Sequence, residues 1–159
     1  MMKRILLLCS LLTAFAATAQ ETGAPDLGDP RYVVRRKLQQ YAASLPRAAA
    51  LTESDTSVVL RVPAGSGTVA FSYYFGKDSL LTAYKYSECD PCVAKYLAGQ
   101  LSDKQLGWRP VSDSLYLSRP SARRRLQTGR DAAGAYFMVS SSPHTRKQWA
   151  VLPGSAGRQ

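Results

Sequence analysis

The sequence predicts an α+β domain: a mainly antiparallel β-sheet of about seven strands with two helices on one face, in the order α-β-β-β-α-β-β-β-β. Three observations carry this expectation. Asp-Pro pairs at 29–30 and 90–91 each precede apolar residues at helical spacing. Three segments between 57 and 86 are apolar and β-branched or aromatic, with turn residues between them. Four further strand-like segments follow Gly107.

The first helix opens with Asp29 as its cap and Pro30 at the first helical position. Val34, Leu38, Tyr41 and Leu45 recur at spacings of four, three and four, which is one helix face, and Pro46 stops the helix. Arg31, Arg35, Arg36 and Lys37 fall on the other face, which reads as the solvated back of a helix packed on a sheet. Residues 46–55 read as a connection. Ser57–Val62 is a strand, and Pro63–Gly67 a turn. Thr68–Phe75 alternates, with Val69, Phe71, Tyr73 and Phe75 on one face. Gly76–Ser79 is a hairpin turn, and Leu80–Tyr86 returns. After Asp90-Pro91, the residues Val93, Tyr96, Leu97 and Leu101 give a second helix. Ser102 to Gln105 has the spacing of a capping box, and Gly107 suits a helix end. Trp108–Val111, Leu115–Arg119, Ala135–Ser141 and Gln148–Leu152 read as strands. Residues 120–134 read as a long basic loop. The sequence shows no repeats and no heptads.

The first nineteen residues are expected to be a cleavable secretory signal. Met1 to Arg4 is a basic start, Ile5 to Ala16 a short apolar run, and Ala17-Thr18-Ala19 a small-residue cleavage site before Gln20. The apolar run is shorter than the roughly 20 residues that a spanning helix wants. Cys9 lies inside the run, after Leu6-Leu7-Leu8, and not at its small-residue end where a lipidated cysteine would sit. The expected organisation is then a signal at 1–19, a flexible leader at 20–28, one domain at 29–153 and a disordered tail at 154–159. No later stretch is apolar and long enough to be a transmembrane segment, and the expected location is periplasmic or extracellular.

Without the signal, nineteen basic residues face eleven acidic ones. Residues 20–103 carry nine of each and are neutral. The excess belongs to residues 104–159, where ten Lys/Arg face only Asp113 and Asp131. Arg119, Arg123, Arg124, Arg125 and Arg130 lie within twelve residues. The planar guanidinium suits phosphate and carboxylate, so this stretch is the expected anion-binding surface. Outside the cytoplasm its partners would be anionic lipid, lipopolysaccharide or acidic polysaccharide, with no specific nucleic acid. The competing reading is a solvated loop whose charge aids solubility.

Cys89-Asp90-Pro91-Cys92 is the sharpest local motif. Once the signal is removed these are the only cysteines, and an exported chain meets an oxidising compartment. The first reading is a local disulfide between Cys89 and Cys92. The other is a redox pair, because a helix N-terminus stabilises a thiolate. The tetrapeptide resembles the active-site motif of thioredoxin-like proteins, proline in third position included, over these four residues alone. That resemblance implies thiol–disulfide exchange. Glu88 and Asp90 oppose a thiolate at short range, and a β-meander precedes the motif where such proteins have a βαβ order. A metal is not expected, since His144 is the only histidine, nor is a cofactor.

Tyr73, Tyr74, Tyr84 and Tyr86 could form a stacking surface. Tyr73 and Tyr74 must face opposite sides of their strand, however, so at least one is core. His144 stands in a turn-like Ser-Ser-Pro-His stretch with no carboxylate near it in sequence. No Gly-rich phosphate loop or nucleophile elbow is present. The reading is therefore a non-catalytic exported binding or envelope-associated module, with thiol–disulfide exchange as the alternative.

Overall fold

The computed structural model describes residues 23–65 and 67–154. The expected signal at 1–19, its cut before Gln20 and residues 155–159 of the expected tail lie outside the described residues. The elements are α1 (Arg31–Ser44), β1 (Ala50–Glu53), β2 (Ser57–Ala64), β3 (Gly67–Phe75), β4 (Leu81–Ser87), α2 (Asp90–Leu101), β5 (Arg109–Ser112), β6 (Leu115–Leu117), β7 (Arg124–Asp131), β8 (Gly134–Ser141) and α3 (Arg146–Ala150). The fold is α+β. Among the described residues, eight strands form one sheet in the order β1-β2-β3-β4-β8-β7-β6-β5, and every pairing is antiparallel.

The connectivity repeats although the sequence does not. A helix and a four-strand meander are followed by a second helix and a second meander. The two meanders meet at a seam where β4 pairs with β8 through four residue pairs, Ala83 with Ser140 to Tyr86 with Phe137. Strand alternation puts Leu60, Phe71, Tyr73, Tyr84, Phe137, Val139 and Leu126 on one face, where they form the core with Val34 and Leu38 of α1, Val93 of α2, and Trp108. Helix α1 lies mainly against β1 and β2, and α2 mainly against β4 and β8. The helices thus stand apart over β3.

Four expectations change. The expected loop 120–134 is mostly strand: Arg124–Asp131 pairs along its whole length with β8, and Asp131 to Gly134 closes a tight hairpin. A strand of such composition persists because Leu126 is fully buried and its polar neighbours find partners. The connection 46–55 contains the edge strand β1. The expected strand Gln148–Leu152 is instead covered largely by helix α3, capped by Thr145, whose hydroxyl accepts from the Gln148 amide while the Gln148 side chain accepts from the Thr145 amide. Helix α1 begins at Arg31 with Pro30 at its cap position. Asp29 instead accepts from the Asp26 amide and from Lys37, both at 2.9 Å.

Residues 26–28 of the expected leader are anchored. The Gly28 amide donates to the Leu81 carbonyl at 2.8 Å, Leu27 packs on the core, and Asp26 pairs with Arg124 at 2.9 Å. On the opposite sheet face, Arg109 lays its guanidinium 3.7 Å from the Trp149 ring centre. It also donates to the carbonyls of Trp149, Ala150 and Leu152, tying α3 down. No helix among the described residues is long and apolar enough to cross a membrane.

Candidate functional site: a tyrosine-lined pocket

The gap between α1 and α2 is a cavity of about 420 Å³. Leu60, Phe71, Tyr73 and Tyr86 form its floor. Helix α1 contributes Leu38 and Tyr41, α2 contributes Tyr96, and residues 23–25 close one side. Its size falls within the range of small-molecule sites, roughly 300–1,000 Å³.

The aromatic walls hold one another. Phe71 and Tyr86 meet edge to face at 4.7 Å, Tyr86 and Tyr96 at 5.3 Å, and Phe71 and Tyr96 at 5.6 Å. Beneath Tyr86 lies Phe137, with ring centres 4.8 Å apart. Each ring therefore fixes the rotamer of the next, and the cavity is shaped before anything enters it. Tyr41 and Tyr96 are 43% and 40% exposed, which puts them at the mouth, whereas Tyr73 is buried at 3%. Burial pushes the phenols of Tyr73, Tyr86 and Tyr96 above the ordinary tyrosine value, and nearby tyrosines add to the rise, although at Tyr86 the hydrogen bond with Tyr73 works against it. They remain uncharged at neutral pH. Lys37, the charged residue among the described lining residues, is bound to Asp29 at 2.9 Å.

Of the four strand tyrosines, Tyr84 is core, Tyr73 and Tyr86 join the cavity floor, and Tyr74 faces the other side of the sheet. Strand alternation separates Tyr73 from Tyr74 in the sequence. The convergence of Tyr41 and Tyr96 on Tyr73 and Tyr86 is not visible there, because both helix tyrosines sit in apolar stripes that look like plain core.

The five arginines do not converge. Arg124 points to the core face and pairs with Asp26, and Arg130 on the same face pairs with Asp90 at 2.6 Å. Arg125 projects to the opposite face, where its Nε donates to Ser140 at 3.1 Å. Arg119 and Arg123 lie in the connection before β7, both exposed, and Arg119 covers Gly107. Two of the five guanidiniums are thus committed to carboxylates of this chain.

Cys89 and Cys92 stand at disulfide-bonding distance, with Cα atoms 5.2 Å apart and both side chains half-buried. Cys89 is the N-cap residue of α2, and its sulfur accepts from the Cys92 amide at 3.3 Å. Glu88, just before it, turns the chain through a left-handed φ of 73° and is held by Arg61 at 3.1 Å. Asp90 accepts from the Ala135 amide at 2.8 Å and from Arg130. The amide and the guanidinium hold its carboxyl below the usual aspartate value. His144 is occupied by the Ser118 carbonyl, with Nε2 at 2.7 Å.

No family model matches the chain, and no curated protein or solved structure matches it at a significant level.

Proposed function

We propose that the chain is an exported, non-catalytic binding module that holds a small organic molecule in the cavity between α1 and α2. The cavity carries this reading. It is concave, mostly apolar and preformed, with a few hydroxyls that can orient a ligand. Export is supported by the basic start, the apolar run and the small residues ahead of Gln20. A cut there would leave three residues before Gly23 at the cavity rim. An anionic envelope partner is left with the exposed Arg119, Arg123 and Arg125, which are spread over a turn and one sheet face. Such a patch supports weak, salt-sensitive adhesion and not a built site.

Ser44→Trp, at the exposed end of α1 on the rim, tests the reading. In a fragment library mapped by amide chemical shifts, binders should perturb Leu38, Phe71 and Tyr96 together, and the substitution should remove those shifts while the melting temperature stays within a few degrees. Binders that cluster elsewhere would defeat the pocket reading. A chain recovered from its source without cleavage before Gln20, by mass spectrometry, would defeat export.

One observation favours a second reading, thiol–disulfide exchange. The cysteine pair lies at the N-terminus of a 12-residue helix, where the backbone dipole favours a thiolate, and Asp90 beside it is already neutralised by Arg130. In one turnover of insulin reduction, added dithiothreitol would reduce the 89–92 disulfide and become a cyclic disulfide, and the resulting Cys89/Cys92 dithiol would pass the two electrons to an insulin disulfide, giving two insulin thiols and restoring the 89–92 disulfide. Insulin-disulfide reduction assays on Cys89→Ser/Cys92→Ser decide between the two. Activity lost in the double variant would establish exchange. If the pair is only a local clip, activity is absent throughout, and the variant loses at most about 2 kcal/mol of stability, since the closed loop is short and serine is itself a good helix cap.

A further inference from the structure

We propose that the α1–α2 cavity selects a neutral molecule built on a flat ring, and rejects the same ring carrying a negative charge; this rests on the pocket reading above. The first argument is charge. Lys37 is already bound to Asp29, and its side chain is only 13% exposed. Among the described residues, the rest of the lining is apolar, hydroxylic or amide, with no carboxylate. An anionic ligand would surrender its hydration and gain no free counter-charge in exchange. Burial keeps the cavity tyrosines protonated, so the walls do not acquire charge near neutral pH.

The second argument is ring geometry. Phe71, Tyr86 and Tyr96 are nearly perpendicular in pairs, with interplanar angles of 86°, 80° and 82°. Such a corner presents faces to edges, and a further planar ring entering it continues the same edge-to-face contacts. A flexible alkyl chain gains no such orientation and gives up its rotamers on binding. Tyr41 and Tyr96 are the exposed rings of the lining, and Tyr41, Tyr73 and Tyr86 each carry a hydroxyl able to donate to or accept from a carbonyl, hydroxyl or ring nitrogen.

Two probes with one ring skeleton test this. N-phenyl-1-naphthylamine is neutral, and 8-anilinonaphthalene-1-sulfonate is the same skeleton with a sulfonate. Both are titrated by fluorescence against the folded chain from Gln20 onward. The neutral probe should bind saturably at one site, about tenfold or more tighter than the sulfonate. Tyr96→Ala should weaken the neutral probe about fivefold or more through lost ring contact, and Tyr96→Phe should restore it. Ser44→Trp should abolish the site. Equal or tighter binding of the sulfonate, with both probes still blocked by Ser44→Trp, would overturn the neutral selection and leave the pocket standing. Binding of neither probe, or binding indifferent to Ser44→Trp, would overturn both.

Discussion

Phe137→Ala is expected to cost about 3–5 kcal/mol, a large share of the stability of a domain this size. Phe137 is fully buried on β8 and pairs across the seam with Tyr86. Its ring supports the Tyr86 ring from below. Truncation removes apolar surface from the core and opens a void under the cavity floor that rigid strands cannot close. Urea titration should read the loss as a lower midpoint with an unchanged slope. Tyr86 should also gain rotamer freedom, so any cavity ligand weakens along with the fold. Phe137→Leu, which fills most of the volume, should cost clearly less. Near-native stability in Phe137→Ala would mean that the seam is not packed as described.

Gly134→Ala is expected to damage the β7–β8 hairpin by two routes. Gly134 has φ +114°, a conformation that an L-residue holds only under strain of about 1–3 kcal/mol. An added Cβ would also lie 2.6 Å from Asp90 Oδ1. Asp90 has little room to yield, because the same carboxylate accepts from the Ala135 amide and pairs with Arg130. The substitution should lower the melting temperature and speed hydrogen exchange at the Ala135 amide. It should also loosen the start of α2, and with it the setting of Cys89. Unchanged exchange at Ala135 would show that Asp90 does not clamp the hairpin.

The elements that were legible in the sequence are those with a strong period or clear punctuation. Asp90-Pro91 starts α2, Pro46 lies just beyond α1, and the alternation from Val69 to Phe75 is the core strand β3. Strand β7 was hidden because its arginines and Gly129 mimic a loop. Their partners, Asp26 and Asp90, lie 98 and 40 residues away, so no local pattern could reveal them. Strand β1 is a short edge whose exposed residues carry little signal. Helix α3 has a local signal that competes with a strand pattern. Thr145 and Gln148 have the capping-box spacing, while Trp149 and Val151 suggest alternation. The cavity itself was illegible for a geometric reason: it exists because α1 and α2 settle over different strand pairs, and helix placement on a sheet is a property of the assembled core.

The seam between the two meanders bears on how the chain reaches its fold. Within each meander, neighbouring strands are joined by short connections, so their contacts close quickly. The β4–β8 pairing joins residues roughly fifty positions apart, with α2 and three strands strung between them. Closing it is expected to be the slow, late step of folding. Until then β4 and β8 each present a bare edge to solvent. Two copies of the chain caught at that stage could pair β4 of one with β8 of the other, satisfying every ladder hydrogen bond of the seam between molecules. Exchange of halves between chains is therefore the characteristic failure that this topology invites, and it would be favoured at high chain concentration during refolding.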